Sequence, residues 1–390
     1  MPNIIHLVAA ARPNFMKIAP LYHALSKESW VVPKIVHTGQ HYDINMSDAF
    51  FADLMLPEPH HHLGIGSGSH AEQTGKVMIA YERLLHQTQP DMVVVVGDVN
   101  STVACTLAAV KINYGLQADG TQPQRTRPVV AHLEAGLRSF DRTMPEEINR
   151  IVTDSLADLL WTPSPDGDEN LLKEGIDQEK IQRVGNIMID SLEMLRPKIE
   201  QEQAAQQYGF SQGDYGLVTL HRPANVDAPE KLKQICKALE EISQTLPLIF
   251  PVHPRTRKNL EQNDVWTRLE NAPAIHLEAP APYIRFMSLV FDSRLLITDS
   301  GGVQEETTYL GIPCLTLRPN TERPVTVTQG TNRLIETSEL SNEFKKLTSR
   351  PGSKEIEFWD GCTASRTVKK IRDSLLSRFD NSVNYCCFVL

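Results

Sequence analysis

Three carboxylates stand where an apolar run gives way to a polar turn, the position from which a side chain can act on a ligand. Asp98 follows Met92–Val96 in Gly97-Asp98-Val99-Asn100-Ser101-Thr102, and Glu134 closes the next run in His132-Leu133-Glu134-Ala135-Gly136-Leu137-Arg138. Glu146 opens the helical pattern Pro145-Glu146-Glu147-Ile148-Asn149-Arg150. A carboxylate at a buried strand end is expensive to desolvate unless it is paired or used, which marks Glu134. Asp98 could equally be a helix cap. Glu146 and Glu147 are expected in a first helical turn on dipole grounds alone.

A second set of residues suits an anion. After the first apolar run comes Ala11-Arg12-Pro13-Asn14-Phe15-Met16-Lys17, where Pro13 fits a helix start and the helix amino end can receive a phosphate. Arg12 and Lys17 would add charge there, or be two solvated cations on an ordinary helix. His221-Arg222 and His253-Pro254-Arg255 each put an imidazole beside a guanidinium after a strand, a pairing that suits a phosphate or a leaving-group oxygen, although a histidine there can equally be structural. The most informative stretch runs from Leu296 to Glu306, where a strand leads into Ser300-Gly301-Gly302 and then a helix. Missing side chains let backbone N–H groups approach a diphosphate, and Ser300 adds a hydroxyl. Glu306 is placed to accept from ribose hydroxyls, and Arg323 supplies one more cation to the same cleft. Two features take a plainer reading. His60-His61-His62 lacks a companion ligand at metal spacing and reads as solvated loop. Gly64 to His70 could hold phosphate but serves as well as a connector.

These residues need a scaffold that aligns strand ends. Apolar runs at Ile4–Ala10, Val32–Thr38, Met92–Gly97, Pro128–Glu134 and Leu159–Thr162 alternate with helical patterns. The rhythm resumes at Gly216–Leu220, Leu248–Val252, Ala274–Leu277, Leu295–Thr298 and Cys314–Leu317. That alternation predicts an α/β protein of two Rossmann-like doubly wound domains, in which ligands sit outside the carboxyl ends of the strands. The boundaries expected are 1–185 and 186–360, with a C-terminal helix at about 365–382 packing back on the first domain. The glycine-rich dinucleotide fingerprint is absent after the first run, which counts against a nicotinamide or flavin enzyme. A length of 390 residues favours two cores over one. A formal charge of −9 argues against a broad nucleic-acid surface, and no apolar run is long enough to span a bilayer, so no nucleic-acid or membrane partner and a cytoplasmic location are expected. Six cysteines without a CxxC pair do not resemble a disulfide framework. Cys387-Phe388-Val389-Leu390 fits a prenylation box only superficially, lacking basic residues upstream.

Taken together and in order, Arg12-Pro13 with Lys17, Gly97-Asp98, the Glu134 and Glu146 segments, His221-Arg222 and Asp299-Ser300-Gly301-Gly302-Val303-Gln304-Glu305-Glu306 resemble the non-hydrolysing UDP-N-acetylglucosamine 2-epimerases, over about residues 4 to 333. The resemblance implies a glycosyltransferase B arrangement with a UDP-sugar in the cleft, a homodimer, and no metal or other cofactor. It implies elimination of UDP to a 2-acetamidoglucal and re-addition with the proton on the opposite face. It makes Asp98, Glu134 and Glu146 the acid–base carboxylates and adds His221 to the catalytic set. Arg12, Lys17, Arg150, Phe286, Ser300, Gly301, Gly302, Glu306 and Arg323 become substrate-binding, with His221, Arg12, Lys17 and Ser300 to Gly302 at the diphosphate and Phe286 near the uracil. Ala281 stands where many members carry Gln, and Gln40-His41-Tyr42-Asp43 differs from the Gln-His-Arg type associated with activation by substrate. The Glu134–Glu146 segment is shorter than in some members. A hydrolysing relative, a 2-epimerase of another UDP-2-acetamido sugar, a glycosyltransferase and a UDP-sugar sensor are the competing readings.

Overall fold

The run Met92-Val93-Val94-Val95-Val96 is buried at every position, as befits a β-branched central strand covered on both faces of a parallel sheet. In the computed structural model, which describes residues 2–39, 51–115, 125–347, 352 and 355–376, this strand is the middle of a seven-stranded sheet. The sheet comprises β1 (Asn3–Ala9), β2 (Val31–His37), β3 (His61–His62), β4 (Met92–Val96), β5 (Val129–Leu133), β6 (Leu159–Thr162) and β7 (Ile181–Arg183). Its order is β3-β2-β1-β4-β5-β6-β7, with every pairing parallel.

A second parallel sheet contains β8 (Gly216–Thr219), β9 (Leu248–Pro251), β10 (Ile275–Glu278), β11 (Leu295–Thr298), β12 (Cys314–Thr316) and β13 (Asn332–Leu334). Its order is β10-β9-β8-β11-β12-β13. Counted from its own first strand, each sheet starts 3-2-1-4-5-6, the doubly wound order. The direction of winding therefore reverses between β1 and β4 in one sheet and between β8 and β11 in the other. Connecting helices leave a crevice at such a reversal, which selects the strand ends where a ligand can sit.

The chain divides into two α/β units, Met1–Met194 with Glu357–Leu390, and Leu195–Ile356. Each has its own apolar core, with Val8, Val36, Val93, Val95 and Leu160 in the first and Val218, Phe250, Leu295, Ile297 and Leu315 in the second. The expected cut at 185/186 precedes the helix Ile187–Glu202, and the units divide within that helix. Its first turns are tied to the first unit, because Ser191 Oγ donates to the Met16 carbonyl at 2.5 Å and Asp190 accepts the N–H groups of Thr363 and Ala364. That aspartate fixes the start of the last described helix, Thr363–Leu376, which packs on the helix Arg12–Leu25. The expected continuation to residue 382 lies outside the described residues, as do Gln40 to Asp43 and the terminal Cys386-Cys387-Phe388-Val389-Leu390.

Three strands have no counterpart in the sequence reading: β3, β7 and β13. Each is two or three residues long, polar in part and at a sheet edge, so the apolar signal that reveals a buried strand is missing. The histidine triplet is accordingly part edge strand rather than all loop, with His60 and His62 exposed as expected. His61 and His62 pair with Val36 and His37, and the His60 ring accepts the Ile35 N–H at 3.1 Å. Among the described residues no helix is long and apolar enough to cross a membrane.

Candidate active site

In the first unit the reversal point gathers the ends of β1, β4 and β5. Asn14 fastens the first two, as its Oδ1 accepts the N–H groups of Ala10 and Ala11 while its Nδ2 donates to the Val96 carbonyl. One helical turn on, Lys17 points inward and pairs with Glu134, both side chains less than a tenth exposed. Either charge buried alone would be costly, and removing one partner of such a pair typically costs about 3–5 kcal/mol. Gly97 makes room for them. Its φ of +64° disfavours any side chain, and a Cβ there would lie 3.0 Å from Lys17 Nζ. Glu134 itself has a φ of +76°, an uncommon conformation for a residue with a Cβ, and its N–H and that of Ala135 both donate to the Trp161 carbonyl.

Asp98 is a third exposed at its side chain and pairs with Arg150, which also reaches Glu147 at 2.7 Å. The structure thus separates two adjacent glutamates that look alike in sequence. Glu147 is buried and accepts the N–H groups of Ser139 and Phe140. Burial opposes its ionisation, but those bonds and Arg150 outweigh burial and hold its pKa below the usual carboxylate value. Glu146, in the same helical turn, stays partly exposed. Arg150 is itself buried and engaged by these two acids, whereas Arg12 is exposed at the first residue of its helix. A cation at the positive end of a helix works against the dipole, which points to a role other than stability.

The second unit gathers the ends of β8 and β11. Asp299, fully buried, accepts from the backbone N–H groups of His221 and Arg222 and from Asn225 Nδ2, and lies 3.1 Å from His221 Nδ1. Burial raises its pKa, but the His221 side chain and these donors prevail and the carboxyl stays ionised below its ordinary value. The His221 side chain is 41% exposed, so part of the ring remains accessible. His253 is 5.9 Å away ring to ring, yet its Nδ1 accepts the Arg255 N–H as a helix cap, and Arg255 pairs with Asp227.

Ser300, Gly301 and Gly302 precede the helix Val303–Leu310. The two glycines differ. A Cβ on Gly301 would stand 2.5 Å from Glu322 Oε1, with Arg323 and Arg318 at 3.2 and 3.3 Å, whereas nothing lies within 4 Å of one on Gly302. Gly301 is therefore required by the protein's own packing, and Gly302 borders open space. Arg323 pairs with Glu305 and Glu322, and Arg318 with Glu322. Glu306 accepts from the Tyr283 hydroxyl at 2.6 Å, and burial chiefly, helped by the charge of Glu305, pushes its pKa up to about 7. Phe286 is partly exposed on the helix Tyr283–Asp292.

Asn14, Glu147, Asp154, Asn225, Tyr283 and Arg318 are contributors that sequence reasoning did not select. The signal available for most of them was position within an already quoted segment, since their roles are contacts across strands. Chemically, the first unit offers carboxylates in three different environments, the condition for dividing acid and base roles. The second offers an imidazole, a hydroxyl and helix N–H groups around open space, which is the equipment for an anion.

A family model described as UDP-N-acetylglucosamine 2-epimerase matches residues 23–372. The UDP-N-acetylglucosamine 2-epimerase of Methanocaldococcus jannaschii is 43% identical over 374 residues, covering 94% of this chain and 98% of that protein. The UDP-2,3-diacetamido-2,3-dideoxy-D-glucuronate 2-epimerase of Pseudomonas aeruginosa is 39% identical over 332 residues, covering 84% and 87%. The crystal structure of the Methanocaldococcus jannaschii UDP-GlcNAc 2-epimerase in complex with UDP-GlcNAc and UDP superimposes with a TM-score of 0.80 at 39% identity, over 95% of this chain and 99% of that one. With two doubly wound sheets, carboxylates at the reversal point of one and His221 with the Ser300–Gly302 turn at that of the other, and similarity of this extent, the chain belongs to the UDP-N-acetylglucosamine 2-epimerase family.

Proposed function

We propose that the protein interconverts UDP-N-acetylglucosamine and UDP-N-acetylmannosamine without releasing the free sugar. A carboxylate takes the C2 proton, the C1–O bond breaks with its electrons on UDP, and a C1=C2 double bond is left in the bound 2-acetamidoglucal. Re-addition of a UDP oxygen at C1 with protonation of C2 from the opposite face gives the epimer. The observation that carries this reading is the carboxylate set at one reversal point, with Glu134 paired to Lys17, Asp98 to Arg150, and Glu146 partly exposed. Inversion at a carbon without an acidic proton needs a base, a proton donor on the other face and a held leaving group. Asp98, Glu134 and Glu146 take the proton work. Lys17 serves Glu134, and Arg150 serves Asp98.

In the second unit His221, Ser300, Gly301 and Gly302 hold the diphosphate, helped by Arg323, Glu306 binds the ribose hydroxyls, and Phe286 contacts the uracil; in the first unit Arg12 is a further substrate-binding cation. Family resemblance further supports a cytoplasmic homodimer. The test is incubation with UDP-N-acetylglucosamine in deuterated water, followed by NMR. Deuterium at C2 of a mixture of two UDP-sugars is the expected outcome, and free hexosamine would replace it with the hydrolysing reaction. A second reading, a 2-epimerase of a different UDP-2-acetamido sugar, is favoured by the 39% identity to the Pseudomonas aeruginosa enzyme. Exchange into UDP-2,3-diacetamido-2,3-dideoxy-D-glucuronate but not into UDP-N-acetylglucosamine would select it.

A further inference from the structure

His132 is the fourth residue of β5, two before Glu134 in the chain, and its side chain is wholly buried. Its Nε2 lies 2.8 Å from the Gly97 carbonyl, which can only accept, so Nε2 carries a hydrogen. Its Nδ1 lies 2.6 Å from Asp154 Oδ1. The other oxygen of Asp154 accepts the Gly136 N–H at 3.1 Å and meets Arg138 Nη1 at 2.7 Å. The Arg138 guanidinium and the Gly136 N–H on that oxygen both stabilise the ionised carboxylate. Asp154 is therefore an acceptor too. An imidazole facing two acceptors satisfies both only with both nitrogens protonated. The charges agree: Arg138 also pairs with Glu174, so two carboxylates face one guanidinium, and the cluster is neutral only with a second cation.

We propose that His132 is a buried imidazolium and, with Asp154, the positioning pair that sets the separation of the two acid–base carboxylates Asp98 and Glu134. Its Nε2–H holds the carbonyl of Gly97, the residue before Asp98, and Asn149 Nδ2 holds the Asp98 carbonyl at 2.9 Å. Asp154 at the same time holds the N–H of Gly136, two residues after Glu134. A single ion pair thus fastens the turn that carries each acid, and neither residue of the pair is exposed to a substrate. The role in catalysis rests on the epimerase reading above; the charge state does not.

Two measurements test it. In protein labelled with 15N-histidine, one imidazole should show both ring nitrogens protonated at pH 7, with slowly exchanging protons, and the signal should vanish in His132→Gln. A neutral tautomer at His132 overturns the proposal whether or not the protein is an epimerase. In Asp154→Asn, of the same shape but uncharged, deuterium exchange at C2 should fall about ten- to a hundredfold, the cost of displacing reacting groups by a fraction of an ångström to one ångström. UDP affinity by calorimetry should stay within about twofold. Unchanged exchange, or UDP affinity lost in step with exchange, overturns the positioning role. If Asp154→Asn does not fold, the NMR measurement on the unaltered protein still decides. Wild-type protein that fails to exchange C2 of either UDP-sugar would instead sink the epimerase reading.

Discussion

Each unit contains a buried aspartate bonded to a histidine beside a ligand-binding strand end, yet the two pairs do different work. Asp154 and His132 are both inaccessible, and the second ring nitrogen of His132 is used up on a carbonyl. Asp299 is equally buried, but the His221 side chain that meets it through Nδ1 is 41% exposed. The same pair is enclosed in one place and open to solvent in the other. What separates them is whether the ring is enclosed by protein or reaches solvent. A wider contrast follows: the first unit carries acids suited to moving protons, while the second carries donors suited to holding charge.

The contrast can be broken most forcefully at the acids. Asp98→Asn, Glu134→Gln and Glu146→Gln should each lower turnover by roughly 10²–10⁴-fold, the range for lost acid–base catalysis, and leave UDP affinity by calorimetric titration nearly unchanged. Near-normal turnover in one variant would remove that residue from the mechanism, and parallel loss of UDP affinity would erase the division between units. On the other side, Gly302→Val meets no protein atom within reach of its Cβ, so it should weaken UDP binding at least tenfold with a melting temperature close to the parent's. Gly301→Ala should lower the melting temperature as well, because its Cβ would displace the Glu322 carboxylate. UDP binding by Gly302→Val equal to the parent's would remove the nucleotide from that turn.

Two histidines of the first unit provide a third case. Burial, reinforced by neighbouring cations, lowers the pKa of His6 to about 3, and burial with His62 lowers that of His37 to about 4. Both are neutral in the fold and gain a proton more readily once unfolded, so the unfolded state binds more protons in the interval below about 6.5. Stability contributed by their neutral forms is present above that pH and lost as pH falls toward 4, by at most about 1.4 kcal/mol per pH unit for each. The melting temperature should therefore drop between pH 6.5 and 4.5, and His6→Leu should flatten the drop. An unchanged slope would show that the acid sensitivity lies elsewhere.

The smallest expected effect concerns Glu306. With a pKa of about 7 it is partly protonated at neutral pH, and ribose hydroxyls would donate to its ionised form. Binding of UDP should then release a fraction of a proton at pH 6.5, visible as a dependence of the calorimetric enthalpy on buffer ionisation and reduced in Glu306→Gln. A buffer dependence identical in the two proteins would place the ribose contact on another group.

Sequence alone determined the architecture wherever burial is continuous. The runs at Leu159–Thr162 and Leu295–Thr298 coincide with β6 and β11 to the residue, because a strand covered on both faces is apolar along nearly its whole length, here up to the closing threonine. The same logic located the turns that carry Asp98, Glu134, His221 and Ser300, since each follows directly on such a run. Only the tertiary structure decided which of these residues face open space and which are bound to one another. Glu146 and Glu147 are adjacent and chemically alike, and what separates them is the chain at Ser139 and Phe140 folding back onto one carboxylate. Gly301 and Gly302 are likewise equivalent until the loop with Glu322 closes over the first. His132 and Asp154 lie 22 residues apart on a strand and a helix, and their contact exists only once both have packed. Periodicity records which side of an element is buried; it carries no record of which polar group another part of the chain brings to meet it.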